Sequence, residues 1–331
     1  MTAPLDSKAL ERAIDGAEMA RGPIEEVKSP FPPLRPTRLD EETIGEHADV
    51  RQLDGGAAAG SGRPHAVPGR APERHRRRSV DRDELRDPTG TIFDTDDRYL
   101  YLDLSFPWGI VGKIRTAGAW GTGTMIGPRH VLTASHCVDW PAVGDGAPGW
   151  ATFTPGYYDG RGPAGEIALT EVVYWTRVTG LASDLETAFD YAILTMDEPL
   201  GERLGYAGAR TYDSAWEGGD FWQYTGYPGE LASGERPAFQ GRSVVSSRAD
   251  HSLSGQTGYV LGHFNEFTPG QSGGAAWGWW PDEPWPRVIG IGSTIGSTAV
   301  EKAHGSTTGD NEYGGGPALT ALISWTRTNR P

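Results

Sequence analysis

A single cysteine, Cys137, stands in a chain of 331 residues. One thiol cannot close an intramolecular disulfide, and it excludes a cysteine-rich metal site as well. No run approaches the ~18–20 consecutive apolar residues that a membrane-crossing helix needs, so no such span is expected. The stretch from Met1 to Lys8 has no apolar core of the kind a secretory leader carries, and none is read there. Basic residues are few: 30 Lys and Arg against 44 Asp and Glu leave a formal charge of −14. A nucleic-acid binder carries a basic face, so nucleic acid is not an expected partner. Aromatic side chains are missing from one end of the chain. Phe31 is the only Phe, Tyr or Trp in residues 1–88, whereas all 12 tryptophans lie at or beyond Trp108.

That asymmetry divides the chain near residue 90. Without large apolar side chains, residues 1–90 cannot bury enough area to offset chain entropy, and they read as a largely disordered pro-segment or linker. One short amphipathic helix is expected within residues 5–20, where Leu5, Ala9, Leu10, Ile14 and Ala17 have approximately helical spacing. Pro-rich SPFPPLRPTR and Gly/Ala-rich GGAAAGSGRP follow and read as linker. The run RHRRRS ends at Arg78 and Ser79. It reads as a solvated basic stretch or as a processing site cut after paired basic residues, with nucleic-acid contact the weakest reading in so acidic a chain. The first reading makes residues 1–90 a permanent extension and the second makes the protein a zymogen.

From residue 91 the texture is that of an all-β chain. Short β-type runs alternate with turn residues, as in YLYLDL from Tyr99, IVGKI from Ile110, EVVYWTRV from Glu171, YAILTM from Tyr191 and TGYVL from Thr257. The 47 glycines and 25 prolines suit turns rather than helix interiors. The exception is PALTALISWTRT, Pro317–Thr328, which reads as a C-terminal helix with proline at its first position.

Three short motifs carry chemistry. In TASHC a β-type run ends in a small-residue turn bearing His136. In FDYAIL, Asp190 immediately precedes an apolar strand. In TPGQSGG, Ser272 is flanked by glycines. Each alone is ordinary: a structural histidine, a strand-entry acid, a turn serine. Together they make a reaction centre. A serine hydroxyl needs a base to become a nucleophile. An imidazole has the right pKa for that task, and a carboxylate fixes its tautomer. Backbone N–H groups, closely approached through glycine, can hold a developing oxyanion. Among the triad-bearing folds, the order His…Asp…Ser is the chymotrypsin order.

These residues resemble the chymotrypsin-fold, trypsin-like serine proteases, nearest the bacterial glutamyl endopeptidase branch. TASHC, DYAIL and GQSGG are similar to that family's histidine, acid and nucleophile blocks. Gly226–Gly229 (GYPG), Val288–Ile291 (VIGI) and the Asp96–Arg98 segment (DDR) support the branch. The likeness covers roughly residues 90–331. It implies two six-stranded antiparallel β-barrels with a C-terminal helix over residues 91–331. It also implies a serine endopeptidase without metal or cofactor, acting on peptide bonds through an acyl-enzyme. His136 would be the base, Asp190 its orienter and Ser272 the nucleophile, with the N–H groups of Gly270 and Ser272 as the oxyanion hole. The substrate side would be lined by Glu266, Phe267, Gly292 and Ser293.

The sequence departs from the family at informative points. Many relatives bridge the cysteine after the histidine to one sixteen residues upstream; here that position is Gly121. Trypsin-like relatives have an aspartate before the nucleophile that pairs with an α-amino group freed by activation; here it is Gln271. The branch's substrate-binding histidine after VIGI is Gly292, and its threonine five residues before the nucleophile is Phe267. Both changes argue against selection of glutamate before the scissile bond (P1). Glu266, six residues before Ser272, is where trypsin-like relatives carry the acid that pairs with basic P1 residues. Glu266 therefore reads as that acid or as an exposed loop carboxylate, and His263 as a residue at the pocket rim. The competing functions are a catalytically inactive, protease-fold binding protein and a non-protease acyl hydrolase. The resemblance implies protein or peptide substrates, a secreted monomer, and contact with the chain's own N-terminal segment.

Overall fold

The computed structural model describes residues 31–58, 92, 96–140, 148–179, 183–220, 222–281, 283–294 and 311–331. The candidate helix at 5–20 and the Arg78–Ser79 site lie outside them. Residues 31–58, expected to be linker, are instead built into both sheets. Strand β1 (Arg35–Arg38) pairs in parallel with residues 171–174. Helix α1 (Glu41–Ile44) follows, with the Asp40 carboxylate accepting from Thr43 N at 2.8 Å as its cap. Strand β2 (Gln52–Leu53) pairs antiparallel with residues 209–210. Leu34, Leu39 and Ile44 are at most 1% exposed. Burying each such side chain contributes roughly 1.5–3 kcal/mol. The signal was faint because these residues stand five apart, a spacing that matches neither strand nor helix period, and β1 is held mainly through its backbone ladder.

The first barrel meets the expectation of six strands. Strands β4 (Val111–Arg115), β5 (Trp120–Met125), β6 (His130–Thr133), β7 (Thr152–Pro155), β8 (Ile167–Tyr174) and β9 (Ala192–Met196) close through β8–β9 pairing, and β1 adds a seventh, edge strand. Val131, Leu132, Phe153, Val172, Ile193 and Leu194 are fully buried, so these strands are covered on both faces. Alternation is weak in β9, which is buried throughout.

The second sheet is larger than the expected six strands. Strand β3 (Tyr99–Leu100) starts it. Then come β10 (Gly208–Arg210), β11 (Trp222–Gly226), β12 (Ala238–Ser243), β13 (Val245–Leu253), β14 (Gln256–His263), β15 (Ala275–Gly278), β16 (Arg287–Thr294) and β17 (Asn311–Gly315). With β2 it has ten strands, and among the described residues no pairing closes the path β13-β14-β17-β16-β15-β11-β12-β3. Strands β2, β3 and β10 join β11–β17, which already number seven, one more than the six expected. Aromatic rings fill the join: Trp108 packs edge-on against Trp277 and Phe239 at 6.0 and 5.4 Å.

A short helix, α2 (Asp184–Ala188), leads into β9. The C-terminal helix, α3 (Pro317–Asn329), was expected from Pro317, which sits at its first turn where the missing N–H costs nothing. Residues 317–326 are all buried. Trp175 Nε1 donates to Ala318 O at 3.0 Å, and His130 Nε2 donates to Arg330 O at 2.8 Å. Burial pushes the His130 pKa down to about 4, so it is a neutral tether. Among the described residues no helix is long and apolar enough to cross a membrane.

Candidate active site

His136 and Asp190 stand at strand ends of the first barrel. Past β6 the chain makes a 3-10 turn, Ser135–Cys137, that carries His136. Ser135 fixes this turn: its hydroxyl donates to Thr176 O at 2.9 Å and accepts from Val178 N at 3.2 Å. Asp190 precedes β9 and follows α2, whose Ser183–Glu186 capping box sets the entry to that stretch. Asp190 is fully buried. Its Oδ1 accepts from His136 N at 2.9 Å, and its Oδ2 accepts from His136 Nδ1 and from Ser293 Oγ, each at 2.6 Å. A buried carboxylate left unpaired is costly, and these three donors satisfy it.

The His136 side chain keeps 23% of its surface. Burial disfavours its cation, but the Asp190 carboxylate and the hydrogen bond to it outweigh burial and hold the imidazole pKa well above its ordinary 6.5. With Nδ1–H committed to Asp190, Nε2 is the nitrogen available to take a proton.

Ser272 is partly exposed, in the turn before β15. Thr122 of β5 grips that turn twice: its N–H donates to Ser272 O and its hydroxyl to Gly270 O, both at 2.8 Å. Gly273 N donates to Gly292 O at 2.9 Å. Two glycines are obligatory. Gly270 has φ +93° and a Cβ there would stand 2.3 Å from Tyr227 O. Gly273 has φ +81° and a Cβ would stand 2.3 Å from Thr133 Oγ1. Among the described residues, the N–H groups of Gly270 and Ser272 enter no hydrogen bond.

Cys137 packs where the absent disulfide would run. A Cβ on Gly121 would lie 2.6 Å from Cys137 Sγ, and that thiol donates to Ser272 O at 3.5 Å. Packing thus joins the histidine turn, β5 and the nucleophile turn without a covalent bridge. Beside them lies a cleft of about 240 Å³ lined by Ala119, His136, Cys137, Val138, Trp140 and Thr179 among others.

Of the expected substrate residues, Phe267 and Gly292 meet beside the nucleophile turn, where Gly273 N donates to Gly292 O. Phe267 is 2% exposed, and a Cβ on Gly292 would stand 2.4 Å from its ring. Phe267 therefore fills the space that a side chain at 292 would need. Glu266 is 3% exposed, so it is not an exposed loop carboxylate. Burial, reinforced by the Asp97 and Asp96 carboxylates, pushes its pKa up to about 8, so it carries a proton at neutral pH. Ser293 Oγ donates to Asp190 Oδ2, which ties this residue to the histidine–aspartate pair. His263 is not at a rim: it is fully buried, its ring 3.5 Å from that of Tyr313, and burial pushes its pKa well below the ordinary value. Sequence reasoning missed Thr122 and Ser135, whose side chains act on backbone groups far along the chain. Only the small-residue runs around them hinted at close approach.

Known proteins were compared with this chain. The family model of the trypsin-like peptidase domain matches residues 121–278. The glutamyl endopeptidase of Bacillus licheniformis is 29% identical over 157 residues, 47% of this chain and 48% of that protein. The extracellular metalloprotease of Bacillus subtilis is 28% identical over 148 residues, 42% of this chain and 45% of that protein. The chain thus spans about half the length of the curated relatives it matches. Among the described residues, no group of three or more His, Cys, Asp or Glu is arranged to hold a metal ion. A solved Glu endopeptidase in complex with MPD superposes with a TM-score of 0.56 at 18% identity, covering 72% of this chain and 100% of that one, a likeness of fold. Over residues 121–278 the chain is therefore similar to the trypsin-like peptidase domain family, and its fold is like that of a solved Glu endopeptidase.

Proposed function

We propose that the chain is a serine endopeptidase in which Ser272 is the nucleophile, His136 the general base and Asp190 its orienter. The observation that carries this reading is the double clamp of Asp190 on His136, through N–H and Nδ1–H at 2.9 and 2.6 Å. It leaves Nε2 to serve a serine whose turn is tied to the same barrel. Ser272 Oγ attacks the peptide carbonyl and its proton passes to His136 Nε2. The carbonyl oxygen becomes an oxyanion held by the N–H groups of Gly270 and Ser272, which are otherwise unengaged among the described residues. His136 then gives the proton to the leaving amine, and a water repeats the sequence on the acyl-enzyme. Asp190 stabilises the imidazolium throughout without taking the proton.

The buried ring of Phe267 against Gly292 supports a shallow pocket that takes small P1 side chains, in place of the basic preference that a charged Glu266 would give. The extracellular location in the name of the Bacillus subtilis relative supports export of this protein. The proteolytic reading is tested by incubating the protein with a denatured protein substrate and mapping new N-termini. The expected result is cleavage that disappears in Ser272→Ala. Cleavage of simple esters alone favours the acyl-hydrolase reading, and no turnover of either by the folded protein favours the binding-protein reading.

A further inference from the structure

We infer that Arg98 is a positioning residue that holds the nucleophile turn in working shape from within the chain, so that no newly cut N-terminus is needed. The inference rests on reading Ser272 as the nucleophile. The turn from Thr268 to Gly273 contains two glycines at positive φ and must keep two N–H groups pointed outward. Such a conformation persists only where its surroundings fix it. Part of that fixing comes from Thr122 and Gly292, and the rest comes through Gln271.

Gln271 is 1% exposed and its side chain runs into a buried polar cluster. Its Oε1 accepts from Arg98 Nη1 at 2.6 Å and from Thr268 N at 3.1 Å. Arg98 is itself 1% exposed. Its Nη1 also donates to Thr268 Oγ1 at 3.0 Å, its Nη2 to Glu230 Oε1 at 2.5 Å and Asp96 Oδ2 at 3.2 Å, and its Nε to Asp96 Oδ1 at 3.1 Å. Thr268 closes the ring by donating to Glu230 at 2.7 Å. The guanidinium is thus balanced by two carboxylates and aimed at the side chain that immediately precedes Ser272. A planar fork with several donors can bind all these acceptors at once, which a lysine ammonium cannot do in the same geometry. Remove it, and Gln271 Oε1, Asp96 and Glu230 each lose a charged donor and keep only weaker ones, which loosens the turn and lets Ser272 N rotate out of line. Arg98 lies 173 residues before Gln271 and is tied to Asp96, so a cut between residues 59 and 95 leaves the latch intact.

The test uses the full chain and four variants: Arg98→Met, Arg98→Lys, Gln271→Leu and the Arg98→Met/Gln271→Leu double. Near-ultraviolet circular dichroism and thermal midpoint report folding. The rate of fluorophosphonate labelling, with kcat and KM on one peptide, reports the turn. The intact wild-type chain is expected to label without being cut. Arg98→Met and Gln271→Leu are each expected to lower kcat and labelling about 10²–10³-fold, the scale of a lost oxyanion donor, with KM within about 3-fold. Arg98→Lys should recover part of the loss, and the double variant should be no slower than either single one. Wild-type labelling by a folded Arg98→Met, multiplicative losses in the double variant, or labelling only after cleavage overturns the inference. Should Arg98→Met fail to fold, Gln271→Leu decides, because it leaves Arg98 paired with Asp96 and Glu230. A wild-type protein that labels neither intact nor cut overturns the nucleophile reading and this one with it, whereas labelled wild type with unaffected variants overturns this one alone.

Discussion

The two halves of the site are held by different means. His136 and Asp190 sit next to paired strands of a closed barrel, and each is positioned by neighbours on that barrel plus one hydroxyl, Ser293. The nucleophile turn sits on a sheet that no pairing closes among the described residues, and it is held by contacts that span the chain: Thr122 from β5, Gly292 from β16 and Arg98 through Gln271. The first half needs little beyond the fold. The second half needs a buried charge cluster, and its aromatic backing of Tyr224, Tyr313, His263 and Phe267 leaves no slack for a displaced turn. Rigidity in one half comes from ladder hydrogen bonds and in the other from side chains whose removal leaves unpaired buried groups.

If that contrast is right, substitutions in the two halves should fail differently. The largest effect is expected for Asp190→Asn, which leaves the shape and removes the charge. It should lower kcat/KM by about 10⁴-fold, the scale on which a triad acid acts. The pH profile sharpens the point. The base works unprotonated, so activity rises as pH climbs through the His136 pKa. Asp190 holds that pKa well above 6.5, so the wild-type acid limb should lie above 6.5 and shift down in Asp190→Asn. An unmoved limb contradicts the assignment.

On the nucleophile side, Phe267→Ala should open the space beside Gly292. The ratio of kcat/KM for leucine over alanine at P1 should then rise about 10–100-fold, the worth of about 1.4–2.7 kcal/mol of pocket contact. An unchanged ratio would place Phe267 outside the substrate's reach. Ser293→Ala removes one of three donors from Asp190 and should lower kcat/KM about 10-fold without changing P1 preference. A change in preference instead would return Ser293 to the substrate side.

The smallest effect concerns stability. Glu266 has its folded pKa raised to about 8 against an ordinary value of 4.5. Such a group stabilises the fold most below 4.5 and loses that contribution as pH rises through about 8. Glu266→Gln should therefore flatten the decline of the thermal midpoint between pH 5 and 8, and an identical decline in both proteins contradicts this.

Much of the first half was legible in the sequence, because its information is local. TASHC and DYAIL each combine a turn with a β-type run, and β6 and β9 lie at those runs. Helix α3 was equally plain from Pro317 and its apolar spacing. The second half was legible only as GQSGG. Nothing local announces that Arg98 reaches Gln271, that Glu266 is buried beside Asp97, or that Phe267 lies on Gly292. These are contacts across the chain, made by residues whose types also suit a solvated loop. The same holds for β1, whose RPTR sequence has no strand pattern and whose ladder depends on a partner more than a hundred residues away.

The central claim is that Ser272, on the larger sheet, is made nucleophilic by His136 of the closed barrel. Its most direct test is to label the folded full chain with a fluorophosphonate and map the adduct by peptide mass spectrometry. The account predicts a single adduct on Ser272, absent in Ser272→Ala and slowed by several orders of magnitude in His136→Ala. An adduct elsewhere, or none on the folded intact or cut chain, would contradict it.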